Sequence, residues 1–518
     1  MTSARATVRV LLLSWLALVL AGTAWALATP IAGSPDEPAH LVKAASVVRG
    51  EWVGTPSPVG HEVTVPQYVA WSHAWTCYAF NAEVPASCVP EMPGDPAELV
   101  TSVTMAGLYN PVYYLIVGWP SLVFGDESGI YAMRIVSTVV TTFFVAAAVS
   151  LIARWRRPVL PLLAIAVTMT PTLLFLSSAV NPNALEATTA IAVLAGMYTL
   201  LRENPRSRWA VALVIIAASL GVTARGLSPM WIALALVPPL MLVRWREAVA
   251  FLRRRDVAVG IAVIGLATAA SLAWTLGSNS LLAGATDPDI HIIYPGAGSS
   301  PISGFFYILV RTVDFAQQLV GLFGWMETWA PSAVFLVYTT LIGGLLAVAV
   351  VVLRKRAFWH VIALLGALVF LPAIVQAAYV TTGGYIWQGR YSLPIFAMLM
   401  LAAATMLADR LPTSSRTTLL RTVWLCSAAI AAAQVTAFVF VLKRYAVGST
   451  GAWGDFVRSP SWAPPLGTVG LSACFAALCV AAGVAGALAL LRAAHEQRER
   501  VDADADQRAD REAEHHAL

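Results

Sequence analysis

A short acidic cluster near the N-terminus offers the clearest chemistry in the chain. Its sequence is Ser34-Pro35-Asp36-Glu37-Pro38-Ala39-His40. Ser34 and Glu37 have the spacing of a capping box, and Pro35 would occupy the first helical position. We therefore expect a helix that begins here, ends near Arg49 and lies in the membrane interface with one apolar side.

Two side chains of this cluster could act together. If the helix forms, Asp36 and His40 lie one turn apart on a common face. A carboxylate at that position could accept a proton from a hydroxyl group or bind a divalent cation. The structural alternative is that Asp36 and Glu37 only cap the helix and compensate its dipole.

A second group of polar and aromatic residues stands where a later apolar segment begins. Its sequence is Trp387-Gln388-Gly389-Arg390-Tyr391. The Arg390 guanidinium could bind a phosphate through two hydrogen bonds, and Gly389 would let a ligand approach the backbone. The structural alternative is an arginine that reaches lipid headgroups from an aromatic belt that includes Tyr391.

Three further polar residues are candidates for a ligand site, although each also suits a structural role. Asn183 stands where an apolar helix should begin, and Arg225 stands at a later turn. Glu327 lies between Trp325 and Trp329, an arrangement that suits sugar stacking and a membrane belt equally.

The five cysteines divide into two groups. Cys77 and Cys88 lie in one long polar segment, where an oxidising compartment would favour a disulfide between them; two free thiols are the alternative. Cys426, Cys474 and Cys479 fall in apolar segments and are typical small packing residues. No set of cysteines and histidines has the spacing of a zinc site.

The composition indicates which elements must position these residues. Of the 518 residues, 58% are hydrophobic and 12% are charged, and the mean hydropathy is +0.72. Soluble domains are about a quarter charged, so the composition excludes a soluble enzyme and a nucleic-acid-binding protein. The apolar runs predict an all-α polytopic membrane protein with about twelve spans, within a range of about eleven to thirteen. The predicted spans are 10–28, 131–153, 159–179, 184–201, 209–225, 228–243, 257–277, 331–353, 358–380, 391–408, 420–442 and 466–491.

Charge patterning predicts how these spans are oriented. Lysine and arginine are concentrated in every second short connection, which places those connections and the N-terminus in the cytoplasm. The long segments 29–130 and 278–330 would then be extracytoplasmic, and they hold 14 of the 20 carboxylates outside the tail. The chain therefore divides into a membrane domain, 1–491, and a polar cytoplasmic tail, 492–518.

Three apolar segments leave alternatives open. The first span ends in Ala24-Trp25-Ala26, which would also suit a cleaved signal peptide, although its long apolar run favours an uncleaved anchor. The stretches 108–124 and 305–325 would invert the charge alternation if they crossed the membrane. We expect these two stretches to form juxtamembrane or re-entrant helices on the outer face.

Motifs along residues 10–410 resemble a bacterial family of predicted multi-pass membrane proteins, the family of unknown function numbered twenty-one forty-two. The opening motif is Pro35 to His40, followed by a helix that ends in Arg49-Gly50-Glu51. The later motifs, in the same order as in that family, are Tyr109-Asn110-Pro111-Val112-Tyr113-Tyr114, Met133-Arg134-Ile135-Val136-Ser137, Ser178 to Asn183, Phe323-Gly324-Trp325 and Gln388-Gly389-Arg390-Tyr391-Ser392-Leu393-Pro394.

That family is similar in layout to the GT-C glycosyltransferases, which use a polyprenyl-phosphate sugar or a related lipid-linked donor on the outer face of the membrane. Their acidic pair in the first external loop corresponds to Asp36 and Glu37. The resemblance implies that Asp36 is the general base, and that Glu37 assists it or helps it to bind a divalent cation such as Mg²⁺ or Mn²⁺. It also implies that Arg390 holds the donor phosphate. Asn183 stands where an aspartate is expected in the related motif, a departure that would alter the substrate or the activity.

We therefore predict a GT-C-like glycosyltransferase of the bacterial plasma membrane that moves a sugar from a lipid-linked donor to an envelope glycan, lipid or protein. Membrane lipids are expected partners and nucleic acid is not. One alternative is a transporter or flippase of lipid-linked saccharides, against which the nearly uncharged spans count; another is a non-catalytic partner in envelope assembly. The residues predicted to contact substrate are His40, Asn183, Arg225, Glu327, Gln388, Arg390 and Tyr391.

Overall fold

The chain folds into a bundle of apolar helices with a smaller folded region at one end. The computed structural model describes residues 4–280, 295–411 and 415–517, so part of the predicted segment 278–330 and the last tail residue lie outside the described residues. The first helices are α1 (Ala4–Ala28), α2 (Glu37–Val47), α3 (Gln67–Ala70), α4 (Pro111–Gly118) and α5 (Ser128–Ile152). They are followed by α6 (Val159–Thr168), α7 (Pro171–Ser177), α8 (Asn183–Tyr198), α9 (Arg208–Gly221), α10 (Ser228–Leu236), α11 (Trp245–Leu252) and α12 (Arg255–Gly277). The others are α13 (Pro301–Val310), α14 (Thr312–Gly321), α15 (Ser332–Val352), α16 (Lys355–Gly383), α17 (Leu393–Ala408), α18 (Arg416–Val447), α19 (Trp453–Arg458) and α20 (Gly467–Ala517).

These helices confirm the predicted all-α polytopic architecture. Within the described ranges, nine helices are long and apolar enough to cross a membrane, namely α1, α5, α8, α12, α15, α16, α17, α18 and α20. The pair α6 and α7 would add a tenth span; it is bent by 68° at Pro171, which cannot donate a helical hydrogen bond. The remaining predicted spans, 209–225 and 228–243, correspond to the shorter apolar helices α9 and α10.

Two helices form the centre of the bundle. In α8 and α17, 94% and 89% of the apolar span is buried inside the protein, whereas the corresponding share is 17% in α12, α15 and α20. The two central helices pack against each other. Both begin at the same end of the bundle, α8 at Asn183 and α17 just after Arg390, so the core of the fold brings two candidate residues to one end.

The connection between α1 and α5 is a folded region that contains a small sheet. Strands β1 (Thr55–Ser57), β2 (Gly60–Pro66) and β3 (Leu99–Thr104) form an antiparallel sheet in that order. A later connection adds the two-residue strands β4 (Leu322–Phe323) and β5 (Thr328–Trp329). We call this part of the molecule, residues 29–127 together with 295–331, the long-loop end.

The environment of α2 differs from the sequence prediction. The helix was expected at the membrane interface, but it packs against α4, β2 and β3, and nearly all of its side chains are buried. Strands β1 to β3 are too short for an alternation of apolar and polar residues to be recognised in the sequence. Because they cover α2, the predicted interfacial position is wrong.

The start of α2 also differs from the predicted capping box. The helix begins at Glu37, two residues later than expected, and Asp36 occupies the N-cap position without a side-chain capping bond. The buried Ser34 hydroxyl has no hydrogen-bond partner among the described residues. The reason is that the Glu37 carboxylate is bound by Arg134 and does not reach back to the helix start.

The contact between α2 and α4 depends on a glycine, and replacing it should destabilise the long-loop end. A Cβ atom added at Gly118 would lie 2.2 Å from the Ala44 carbonyl oxygen, so Gly118→Ala must separate the two helices. We expect a loss of about 1–3 kcal/mol, typical of overpacking, measured as a lower thermal unfolding temperature of the purified protein. Gly366→Ala is the matched control, because a Cβ there has no neighbour within 4 Å, and an equal effect of both variants would contradict the prediction.

Candidate functional site

The structure brings together the two residues that the sequence ranks highest. Arg390 donates a hydrogen bond from Nη2 to Asp36 Oδ2 at 2.5 Å, although 354 residues separate them in the chain. Asp36 lies just before α2, and Arg390 lies in the turn Gly389–Ser392 that leads into the central helix α17. The ion pair therefore joins the long-loop end to the core of the bundle.

The backbone at Asp36 has an uncommon conformation that frees its side chain. Its φ of 62° and ψ of 3° lie in the left-handed region, which is unfavourable for a residue with a Cβ atom. Because the carboxylate makes no capping bond to α2, the reading of Asp36 as a simple helix cap does not fit. Its side chain is 49% exposed, so the carboxylate is open to a ligand.

The surroundings of Asp36 favour the ionised carboxylate. Burial by the surrounding protein tends to raise the pKa of this group, but the positive charge of Arg390 and that of Arg225 outweigh it. The pKa of Asp36 therefore lies below its usual value, so its carboxyl group is ionised at neutral pH.

Arg390 has hydrogen-bonding capacity that the protein leaves unused. Its side chain is only 6% exposed, and both Nε and Nη1 lack a hydrogen-bond partner among the described residues. The nearby Gln388 Oε1 is also buried without a partner. Unpaired buried donors of a charged group are costly, so this guanidinium is suited to an anionic ligand. The Tyr391 ring, 5.3 Å from the guanidinium carbon, helps to fix its orientation.

A small cavity lies beside Arg390. It is lined by Arg390 and Gln388 from one segment, by Pro35 next to Asp36, and by Gly324 and Met326 from a later connection. Its volume is about 20 Å³, room for about one water molecule, so a phosphate would need side chains to move. Met326 is 36% exposed and flexible, which makes it the lining side chain best able to move.

Gly389, next to Arg390, is required by close packing against α14. The Gln318 side chain of α14 accepts a hydrogen bond from the Gly389 N–H at 2.7 Å. A Cβ at Gly389 would lie 2.4 Å from the Gln318 Cβ, so only glycine fits under α14. The backbone at Gly389 is thus approached by Gln318 and not left open for a ligand, which differs from the prediction.

A second arginine lies next to the Asp36–Arg390 pair. Arg225 donates a hydrogen bond to Asn183 Oδ1, and its guanidinium carbon lies 4.6 Å from the centre of the Tyr391 ring. Its Nη1 is also 4.0 Å from Glu186 Oε2, a carboxylate that accepts a bond from Ser228. Three predicted site residues, Asn183, Arg225 and Tyr391, are therefore neighbours.

His40 lies in the same neighbourhood and is neutral. Burial lowers the pKa of His40 to about 3, and the charge of Arg225 also lowers it, while Asp36 partly opposes the shift. Its Nδ1 is 2.8 Å from the Tyr114 hydroxyl. A neutral imidazole held in this way could hydrogen-bond a substrate hydroxyl but would be a weak base.

Glu37 lies close to Asp36 in the chain but points elsewhere. Arg134 of α5 binds both of its carboxylate oxygens, with Nε–Oε1 and Nη2–Oε2 distances of 2.7 and 2.5 Å, and neither side chain is exposed. The two carboxylates of the acidic pair therefore face different arginines. They do not form a shared site for a divalent cation, and the described residues contain no group of three or more His, Cys, Asp and Glu suited to a metal.

Glu327 is also separated from the Asp36–Arg390 pair. Its Oε1 lies 3.1 Å from Nη2 of Arg444, a buried arginine near the end of α18. The same arginine donates hydrogen bonds to carbonyl oxygens of the loop that the Cys77–Cys88 disulfide closes, in which the two Cα atoms are 6.1 Å apart. Glu327 and the disulfide thus belong to one structural connection.

Comparisons with known proteins place the sequence in a family. The profile of a family described as "Predicted membrane protein (DUF2142)" matches residues 18–400, a range that includes Asp36 and Arg390. The chain belongs to this family. No curated protein matches the sequence.

Two solved structures resemble this DUF2142 chain at low identity. The structure of ArnT from Cupriavidus metallidurans bound to undecaprenyl phosphate has a TM-score of 0.45 at 15% identity, and the match covers 97% of this chain and 80% of that one. The structure of the same ArnT in the apo state has a TM-score of 0.42 at 15% identity, with 95% and 78% covered.

Sequence reasoning missed two buried arginines of this DUF2142 member, one of which holds the chain segment of Asp36 in place. Neither Arg134 nor Arg444 stands out as a site residue from the sequence, but both are buried within helices, α5 and α18. An arginine inside or beside an apolar span is itself a signal, because its charge must be satisfied by partners. The partners themselves cannot be read from the sequence, since they lie about 100 or more residues away.

Proposed function

We propose that the protein is a membrane glycosyltransferase that transfers a sugar from a polyprenyl-phosphate donor to a hydroxyl group of an envelope acceptor at the long-loop end. The observation that carries the proposal is the contact between Asp36 and Arg390. It places an accessible carboxylate next to a guanidinium whose Nε and Nη1 have no partner among the described residues. The class of donor follows the resemblance in sequence layout to the GT-C enzymes.

The chemistry requires one base and one anion-binding group, and the pair supplies both. Asp36 accepts the proton of the acceptor hydroxyl, and the oxygen attacks C1 of the donor sugar. The bond between C1 and the phosphate oxygen breaks, and the lipid phosphate keeps the electron pair. Arg390 stabilises the negative charge of that leaving group through its unpaired N–H groups.

The neighbouring residues have supporting roles in this proposal. His40 is neutral, and its Nδ1 contacts the Tyr114 hydroxyl. Its imidazole forms a hydrogen bond with a hydroxyl group of the sugar or of the acceptor. Tyr391 orients the two guanidinium groups of Arg225 and Arg390 through its ring. Gln388, with its buried unpaired Oε1 at the cavity, hydrogen-bonds the donor.

The geometry does not favour a transporter. A substrate path through the bundle would need polar groups that face an open space, but Arg134 is fully bonded and Arg444 is tied to Glu327 and to loop carbonyls. Among the described residues, the unpaired donors of a charged group, Nε and Nη1 of Arg390, lie at the long-loop end, where α17 begins, although single polar atoms of His360 and Gln434 are also unpaired inside the bundle.

A deletion strain tests the proposed function. We expect the envelope of the strain to lack one sugar and its membranes to accumulate the corresponding polyprenyl-phosphate sugar, both restored by the wild-type gene. The measurement is mass spectrometry of lipid-linked sugars together with glycan composition. An unchanged profile of both would contradict a transferase, and accumulation of the donor on the cytoplasmic leaflet alone would favour a flippase.

A further inference from the structure

The chain that precedes Asp36 is held by an unusually complete set of hydrogen bonds. Four successive carbonyl groups, at residues 30 to 33, accept bonds from side chains of four different segments of the protein. The carbonyl of Pro35 accepts a further bond from the Asn181 amide at 3.1 Å. The four donors to residues 30 to 33 are Arg134, Tyr78, Trp325 and Tyr445, in that order.

Arg134 is the centre of this set. It binds the carbonyl oxygens of Ala26, Thr29 and Pro30 at 2.7–2.9 Å and both oxygens of Glu37 at 2.5–2.7 Å. A guanidinium has five N–H groups, so these five bonds use all of them. Because the bonds reach both sides of the loop, Arg134 fixes the chain before and after Asp36.

This arrangement explains how Asp36 keeps an unfavourable backbone conformation. A left-handed residue persists only where its surroundings hold it. Glu37 is fixed by Arg134 on one side of the chain, and the backbone N–H of Val180 also donates to Glu37 Oε1 at 3.3 Å. With Glu37 fixed inside the protein, the turn at Asp36 directs its carboxylate to Arg390.

We propose that Arg134 and Glu37 are positioning residues that act on the reaction through Asp36. They contact neither donor nor acceptor; they set the place of the Asp36 carboxylate relative to Arg390. The inference rests on the proposed function, in which Asp36 is the base. It assigns the second acidic residue of the pair a role different from catalysis and from metal binding.

A second buried arginine of the same protein provides a matched control. Arg444 is also almost fully buried, pairs with Glu327 and binds three loop carbonyls, those of Tyr78, Asn81 and Val84. Its hydrogen bonds to carbonyl groups go to the disulfide-closed loop, and its guanidinium reaches the chain segment of Asp36 only indirectly, through contacts with the rings of Tyr78 and Tyr445. A purely structural arginine should behave like Arg444.

A double-mutant cycle separates positioning from general stabilisation. The full-length protein is reconstituted in liposomes with a polyprenyl-phosphate sugar donor, and transfer is measured for Arg134→Lys and Arg444→Lys, each alone and combined with Asp36→Asn. Lysine keeps the charge but cannot bind Glu37 through two parallel bonds. Thermal unfolding of each variant reports stability independently of activity.

We expect Arg134→Lys to lower kcat by about 100-fold, the size of effect that a misplacement of about 1 Å produces, and to change the donor KM by less than about twofold. In the Asp36→Asn background the same change should cause no further loss, because a residue that acts only through Asp36 has nothing left to position. Arg444→Lys should lower stability and reduce activity by the same factor in both backgrounds.

The opposite pattern overturns the inference. If the losses from Arg134→Lys and Asp36→Asn multiply, Arg134 stabilises the fold and does not act through Asp36. If Arg134→Lys does not fold, Glu37→Gln replaces it in the same cycle, since glutamine keeps the shape of the side chain and one acceptor oxygen. Absence of transfer by the wild-type protein would contradict the proposed function, and full activity of Asp36→Asn alone would contradict the role of Asp36 as the base. Both results are distinguishable from a failure of the positioning role.

Discussion

Replacing Asp36 by asparagine is expected to lower the rate of sugar transfer by about 10²–10⁴-fold, the contribution typical of a general base. Asparagine has nearly the same shape, tolerates the left-handed conformation and keeps an oxygen that can accept a bond from Arg390. What it loses is the ability to take the proton of the acceptor hydroxyl. The measurement is initial transfer rate in liposomes at saturating donor.

The control for this prediction is another aspartate of the long-loop end. Asp126 accepts hydrogen bonds from the backbone and hydroxyl of Ser128 at the surface and lies away from Arg390. Asp126→Asn should leave the rate unchanged. A rate for Asp36→Asn within about threefold of wild type, with normal folding, would show that Asp36 is not the base, because a base contributes at least about 100-fold.

The helical bundle could be predicted from the sequence because hydropathy directly reports burial in lipid. All twelve predicted spans coincide with apolar helices, including the bent pair α6 and α7. The small sheet of the long-loop end was not predicted, since its strands are three to seven residues long. Together with α4, this sheet covers α2, so the helix is buried although the sequence predicted a surface helix.

The candidate site could be predicted in part. Asp36 and Arg390 each stood out by residue type and position. Their predicted location on the same outer side of the membrane was the only indication that they are in contact. The sequence did not distinguish Asp36 from Glu37, because the two are adjacent and chemically alike. Their difference comes from partners 354 and 97 residues away, Arg390 and Arg134, whose positions depend on the packing of the whole bundle.

The separation of Glu327 from the site has a similar cause. Tryptophans on either side suggested a sugar-binding carboxylate, but Arg444 reaches Glu327 from α18, more than 100 residues further along the chain. A buried arginine near the end of an apolar helix requires an acceptor, and the nearest carboxylate satisfies it. The buried Arg444 therefore accounts for Glu327, which the flanking tryptophans alone suggested for substrate binding.

Replacing Arg390 by glutamine is expected to affect both the donor and the base. The leaving phosphate loses the unpaired N–H groups of the guanidinium, so kcat/KM for the donor should fall by about 10²–10³-fold, the size seen when one transition-state donor is removed. Arg311→Gln is the control, because this half-exposed arginine pairs with Asp314 three residues away and should leave kcat/KM unchanged.

The pH dependence of the Arg390→Gln variant tests the effect of Arg390 on the base, Asp36. Burial raises the pKa of Asp36, and the neighbouring groups, Arg390 first among them, bring it below the usual value. Without the charge of Arg390 the pKa of Asp36 rises, so the carboxylate becomes protonated at higher pH and the acid limb of kcat/KM must move to higher pH. In a variant that also carries Asp36→Asn this limb should be absent. An Arg390→Gln variant that loses activity equally at every pH would mean that Arg390 binds the phosphate without tuning the base, and that the 2.5 Å contact between the two side chains does not govern proton transfer.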